Sequence, residues 1–230
     1  MGMGGAWLIA IVVMLASLYV GQQLRSRFQR YSATPLSNGM SGAEIAARML
    51  ADHGIQGVRV QSVQGQLTDH YDPTKRTVNL SEAVYHGRNA AAAAVAAHEC
   101  GHAVQHATAY QWLMLRSRLV PVVSIASSLV QWVLLGGILL VNSFPQLLLV
   151  GIVLFAATTL FSLITLPVEY DASNRALAWM ERTGIVQPSE YALSADALKW
   201  AARTYLIAAV GSVATLLYYL SIYLGAGRRN

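Results

Sequence analysis

The sequence predicts a mostly α-helical integral membrane protein with about four transmembrane helices and one small α+β domain, and two observations carry that prediction. Of 230 residues, 55% are hydrophobic and only 12% charged, against about 25% charged in ordinary soluble domains. Four stretches of roughly 20 residues, the length needed to cross a bilayer, contain no Asp, Glu, Lys or Arg. The mean hydropathy of +0.43 excludes a disordered chain. A net charge of +5 would suggest nucleic acid in a soluble chain. Here the basic residues flank apolar stretches and can set membrane orientation, so no nucleic-acid partner is expected. The single cysteine, Cys100, excludes an intrachain disulfide and suits a reducing compartment.

Residues 1–30 are expected to form an N-terminal transmembrane anchor. Its apolar run, 6–24, is followed by Arg25, Arg27 and Arg30, whereas a cleaved signal peptide would carry its basic charge ahead of the run. Residues 31–118 are the one long polar segment and should fold as a small domain. Within it Ser41 and Glu44 make a capping-box pattern before the apolar stripe Ala46, Met49 and Leu50, which ends near Gly54. Val58, Val60 and Val63 suggest a strand, Asp72-Pro73 a turn, and residues 77–80 a second strand. The alanine-rich residues 90–110 should be helical. Residues 119–168 hold no charge at all, and Asn142, Ser143, Pro145 and Gln146 interrupt them near the middle, which reads as a helical hairpin through the bilayer. Residues 169–203 return as a helical segment, and 204–230 hold the last span.

Lys and Arg beside the spans set orientation. Arg25, Arg27 and Arg30, Arg116 and Arg118, and Arg175, Lys199 and Arg203 place residues 31–118 and 169–203 on the cytoplasmic face, with the uncharged hairpin turn outside. Arg228 and Arg229 would then lie outside, against the rule.

The alanine-rich helix carries His98-Glu99-Cys100-Gly101-His102, an HExxH pattern. Two histidines at i and i+4 share one helical face and can offer imidazole nitrogens to one Zn²⁺, while the intervening Glu99 can take a proton from the attacking water. The segment 31–118 is therefore expected to be a zincin-like domain. A hydrolytic zinc usually takes a third protein ligand. Gln105 and Thr108 stand where a metzincin continuation needs Gly and His, and no Asp or Glu occurs between Glu99 and Glu169. Glu169 is thus the first downstream carboxylate, returning to the face that holds the histidines. Asp171 and His106 are its rivals as the third ligand. His70 and Tyr71 are candidates to donate to a tetrahedral oxyanion. Cys100, off the histidine face, reads as a small packing residue.

The segments Leu67-Thr68-Asp69-His70-Tyr71-Asp72-Pro73, then Ala97-His98-Glu99-Cys100-Gly101-His102-Ala103-Val104-Gln105-His106, then Leu166-Pro167-Val168-Glu169-Tyr170-Asp171-Ala172-Ser173 resemble the YugP-type family of neutral zinc metallopeptidases of prokaryotic membranes. The order HExxH, two spans, then Glu also resembles the HtpX-type membrane gluzincins. That resemblance implies Glu169 as the residue completing the zinc site. In those families an Asp commonly follows that Glu by four residues and supports a zinc-binding histidine. Ser173 stands there in this chain, with Ser173, Asn174 or Asp171 as possible substitutes.

The expected function is a zinc-dependent, multi-pass membrane endopeptidase acting near the cytoplasmic face on membrane or misfolded proteins. Its expected partners are a protein or peptide substrate and the bilayer, with a membrane regulator or a second copy left open. A substrate strand is expected to pair with residues 77–80. The alternative is a zinc-binding membrane scaffold or chaperone without catalysis.

Overall fold

The structure, a computed structural model, describes residues 3–226, with side chains for 7–225; Arg228 and Arg229 lie outside the described residues. The element order is α1 (Met3–Ser32), α2 (Gly42–Asp52), β1 (Arg59–Val63), β2 (His70–Asp72), β3 (Thr77–Ser81), α3 (Glu82–Tyr85), α4 (Ala90–Ala107), α5 (Gln111–Leu139), α6 (Pro145–Thr183) and α7 (Pro188–Ala226).

Helix α2 begins where its sequence signal lies. The Glu44 amide donates to Ser41 Oγ at 3.3 Å, and the Ser41 amide donates to Glu44 Oε2 at 2.7 Å. Two of the helix's orphan N-terminal donors are so satisfied. Ile45, Ala46, Met49 and Leu50 form its buried face. The chain leaves through Gly54 at φ +65°, a conformation that carries no Cβ penalty only for glycine.

The three strands make one mixed sheet in the order β1-β3-β2, with β1 parallel and β2 antiparallel to β3. This corrects the expectation that residues 77–80 could receive a substrate strand. Both edges of β3 are already paired, and all five of its residues are buried. The free edges of this sheet belong to β1 and β2.

Helix α4 starts at Asn89, whose side chain accepts from the Ala92 amide at 2.9 Å. Ala90–Ala94, Ala96 and Ala97 are all buried, joining Ile45, Met49, Val78, Leu80, Trp179 and Met180 in one apolar core. The alanines thus act as a thin wall that lets neighbouring elements approach the α4 backbone, as well as helix formers.

Four helices are long and apolar enough to cross a membrane: α1, α5, α6 and α7. At 39 residues each, α6 and α7 run about 58 Å at 1.5 Å per residue, nearly twice the roughly 30 Å hydrocarbon core. The chain divides into two compact units, one of Val20–Met114 with Pro167–Arg203 and the other of the remaining segments. In the second unit α5 and α6 pack closely. A Cβ on Gly137 would sit 2.6 Å from Leu148 Cα, and Leu134, Leu148 and Ile152 form a small core. Outward-facing Trp132 and Leu139 are 71% and 76% exposed, an apolar surface suited to lipid.

Candidate metal centre

All the groups described below belong to the unit of Val20–Met114 and Pro167–Arg203. Helical spacing puts His98 and His102 on one face of α4, their ring centroids 4.9 Å apart. Between them Gly101 faces α6 so closely that an added Cβ would meet Ala172 O at 2.4 Å. This close approach brings Glu169, one turn before Ala172 on α6, against the histidines. Glu169 Oε2 lies 3.3 Å from His98 Nε2 and 3.6 Å from His102 Nε2.

One donor atom from each of His98, His102 and Glu169 falls within 4.8 Å of the other two, and no other group of this kind occurs among the described residues. Two ligands 2.0–2.1 Å from a tetrahedral zinc stand about 3.4 Å apart, so the observed separations fit. Two imidazole nitrogens and a carboxylate oxygen are also a donor set suited to Zn²⁺.

The outer nitrogens of both rings are engaged. His98 Nδ1 lies 3.1 Å from Ser173 Oγ, and His102 Nδ1 lies 3.0 Å from Gln105 Oε1. Burial opposes charging the His102 ring, yet the Glu169 carboxylate beside it, the Glu99 charge and Gln105 together outweigh it and raise its pKa above the ordinary histidine value. Glu99 is 8% exposed and makes no hydrogen bond or ion pair among the described residues, which leaves its carboxylate free for a proton.

The structure separates the remaining candidates. Asp171 stands outside the three-residue group; its Oδ2 accepts from Gln105 Nε2 at 2.8 Å and from Arg175 Nε at 2.5 Å. His106 is also outside, with Nδ1 2.8 Å from the Tyr71 hydroxyl. Ser173 reaches His98, whereas Asn174 is exposed and bonds to nothing described. His70 has both ring nitrogens occupied, Nδ1 by Thr68 O at 2.7 Å and Nε2 by Asn79 Nδ2 at 3.1 Å. Burial pushes the Tyr71 hydroxyl pKa up, which keeps it a donor at neutral pH. Cys100 is fully buried against Ala46 O, and burial pushes its thiol far above the ordinary range.

Sequence reasoning missed Gln105, noting it only as a departure from the metzincin pattern. Its signal was the spacing, since i and i+3 on a helix are neighbours, and Gln105 falls three residues after His102.

The sequence matches the family described as "Putative neutral zinc metallopeptidase" over residues 6–224. It is 42% identical over 222 residues, 96% of this chain and 98% of the relative, to a Bacillus subtilis (strain 168) protein called "Putative membrane protease YugP". No solved structure matches it.

Proposed function

The chain belongs to the "Putative neutral zinc metallopeptidase" family, and from that premise we propose that it is a multi-pass membrane endopeptidase whose zinc is held by His98, His102 and Glu169. The observation that carries this reading is the convergence of those three donors within 4.8 Å beside the unpartnered Glu99. Zinc bound there supplies a Lewis acid that polarises the scissile carbonyl and eases ionisation of water. Glu99 takes the proton of the attacking water and returns it to the leaving amine. His98 and His102 turn Nε2 inward, each ring being held at Nδ1 from behind.

The free edge of β2 is the place for an extended substrate, because β2 packs against α4 and its Tyr71 reaches His106 on that helix. Pairing there reads backbone more than side chain, which suits unfolded or membrane-protein substrates. Tyr71 is favoured over His70 as the oxyanion donor, since its hydroxyl meets the HExxH helix at His106, whereas both His70 ring nitrogens are engaged away from that helix. Basic residues beside the spans support a cytoplasmic position for this site.

The test is to purify the chain in detergent, quantify zinc, and follow cleavage of an unfolded protein by wild type, Glu99→Gln and Glu169→Ala. Glu99→Gln should keep its zinc and lose about 10²–10⁴-fold in turnover, and Glu169→Ala should lose zinc under mild chelation. Undiminished cleavage by Glu99→Gln refutes the mechanism, and a wild-type protein that holds zinc but cleaves nothing favours a non-catalytic zinc protein. Full zinc retention by Glu169→Ala refutes the ligand assignment.

A further inference from the structure

His98 and His102 are held from behind by groups of different chemistry. Ser173 Oγ, 3.1 Å from His98 Nδ1, is a hydroxyl that donates or accepts and imposes no tautomer. Gln105 Oε1, 3.0 Å from His102 Nδ1, belongs to an amide whose orientation is dictated. Gln105 is 0% exposed, and its Nε2 lies 2.8 Å from Val168 O and 2.8 Å from Asp171 Oδ2. A backbone carbonyl and a carboxylate only accept, so the NH₂ end must face them, because the reversed amide would set oxygen against oxygen twice. The amide oxygen then faces His102, and an oxygen that only accepts requires the proton on Nδ1. His102 Nε2 is the nitrogen left facing Glu169 Oε2. Arg175 Nε, 2.5 Å from the same Asp171 oxygen, fixes the far end of the chain, and its guanidinium lies 5.5 Å from the Tyr110 ring centre.

We propose that Gln105, Asp171 and Arg175 form a positioning relay that holds the His102 ring by an Nδ1–H bond to the Gln105 amide oxygen, so that Nε2 is the nitrogen turned to the metal and neutral His102 is the Nδ1–H tautomer. The inference rests on the reading of His102 as a zinc ligand. It makes Asp171 a remote support for one histidine, acting through an amide, while Ser173 serves the other.

The test reads the tautomer directly. Metal-free protein labelled with ¹⁵N-histidine, held in detergent above the histidine titration range, should show His102 protonated at Nδ1 alone. Gln105→Met keeps the length of the side chain but removes acceptor and donors. It should mix the two tautomers and raise the zinc dissociation constant about 10–100-fold. Asp171→Leu keeps much of the side chain's volume, removes its acceptor and leaves Val168 O as the one dictating acceptor, so it should give a smaller change in the same direction. Ser173→Ala should leave the His102 tautomer as in wild type.

An unchanged His102 tautomer in both Gln105→Met and Asp171→Leu overturns the relay, as does a zinc affinity for Gln105→Met within threefold of wild type. Should Gln105→Met fail to fold, Asp171→Leu alone decides the matter. A wild-type protein that binds no zinc refutes the proposed function, while the tautomer of the metal-free protein still tests the relay.

Discussion

Gly101 is the point where the approach of α4 to α6 can be perturbed by one carbon. Its ideal Cβ would stand 2.4 Å from Ala172 O and 3.0 Å from Ala172 C and Cα, whereas ordinary contact begins near 3.4 Å. The two backbones must therefore part locally by about 1 Å in Gly101→Ala. Overpacking of this kind costs about 1–3 kcal/mol, against a helix-propensity gain of up to about 1 kcal/mol for replacing glycine. The displacement also acts on Glu169, three residues before Ala172. Its carboxylate oxygen, now 3.3 and 3.6 Å from the histidine nitrogens, would move beyond 4 Å from at least one of them. Zinc affinity should fall at least tenfold, about 1.4 kcal/mol.

Competition with a chromophoric chelator in detergent measures that loss, and thermal unfolding of the same samples measures the packing. Gly21→Ala is the control, because nothing lies within 4 Å of its added carbon. A Gly101→Ala protein with wild-type zinc affinity and wild-type stability would show that the helices part freely, and the close-approach argument would fail.

Three further outcomes are expected. In a Cys100→Ala background, an impermeant thiol reagent on intact cells should label cysteine at position 143 and not at 37; the reverse pattern would put the candidate site on the outer face. Because the His102 pKa is raised in the metal-free protein, a proton must leave before Nε2 can bind metal. Zinc affinity should be fully developed above that pKa and drop about tenfold per pH unit below it for each proton displaced, so equal affinity at pH 6 and pH 8 would contradict the competition. Tyr71→Phe should retain zinc and lose about 10²–10³-fold in turnover, and normal turnover would remove its hydroxyl from the chemistry.

The spans and the HExxH helix were legible because apolar length and i, i+4 spacing are local properties of the chain. Glu169 was reachable because the sequence offers no earlier carboxylate after Glu99. Charge, however, marks the edge of an apolar stretch and not the end of a helix. α6 continues through Glu169 and Asp171 to Thr183, and α7 begins at Pro188, well ahead of Thr204. Strand β3 misled for a different reason. It was expected to take a substrate strand, yet it lies between β1 and β2, and its polar Thr77, Asn79 and Ser81 are all buried. Gln61 donates to Asn79 Oδ1 at 2.6 Å, and Asp69 accepts from the Ser81 amide at 2.7 Å, partners that hydropathy cannot reveal. β2, three residues running into the Asp72-Pro73 turn, is too short for alternation to register. The Gln105 relay was invisible because Asp171 lies 66 positions away along the chain.

The alanine wall of α4 bears on how any mutational survey of this protein should be interpreted. Seven alanines between positions 90 and 97 are at most 2% exposed, so a larger side chain at any of them meets a filled interior and not solvent. In a pooled library selected for proteolysis, these positions would be depleted alongside His98, Glu99 and His102, although they contribute no functional group. Intolerance to substitution along α4 would thus mix two origins in adjacent residues. Scoring the same library for protein abundance separates them: the alanine variants vanish from the membrane, while Glu99→Gln remains there in full and idle.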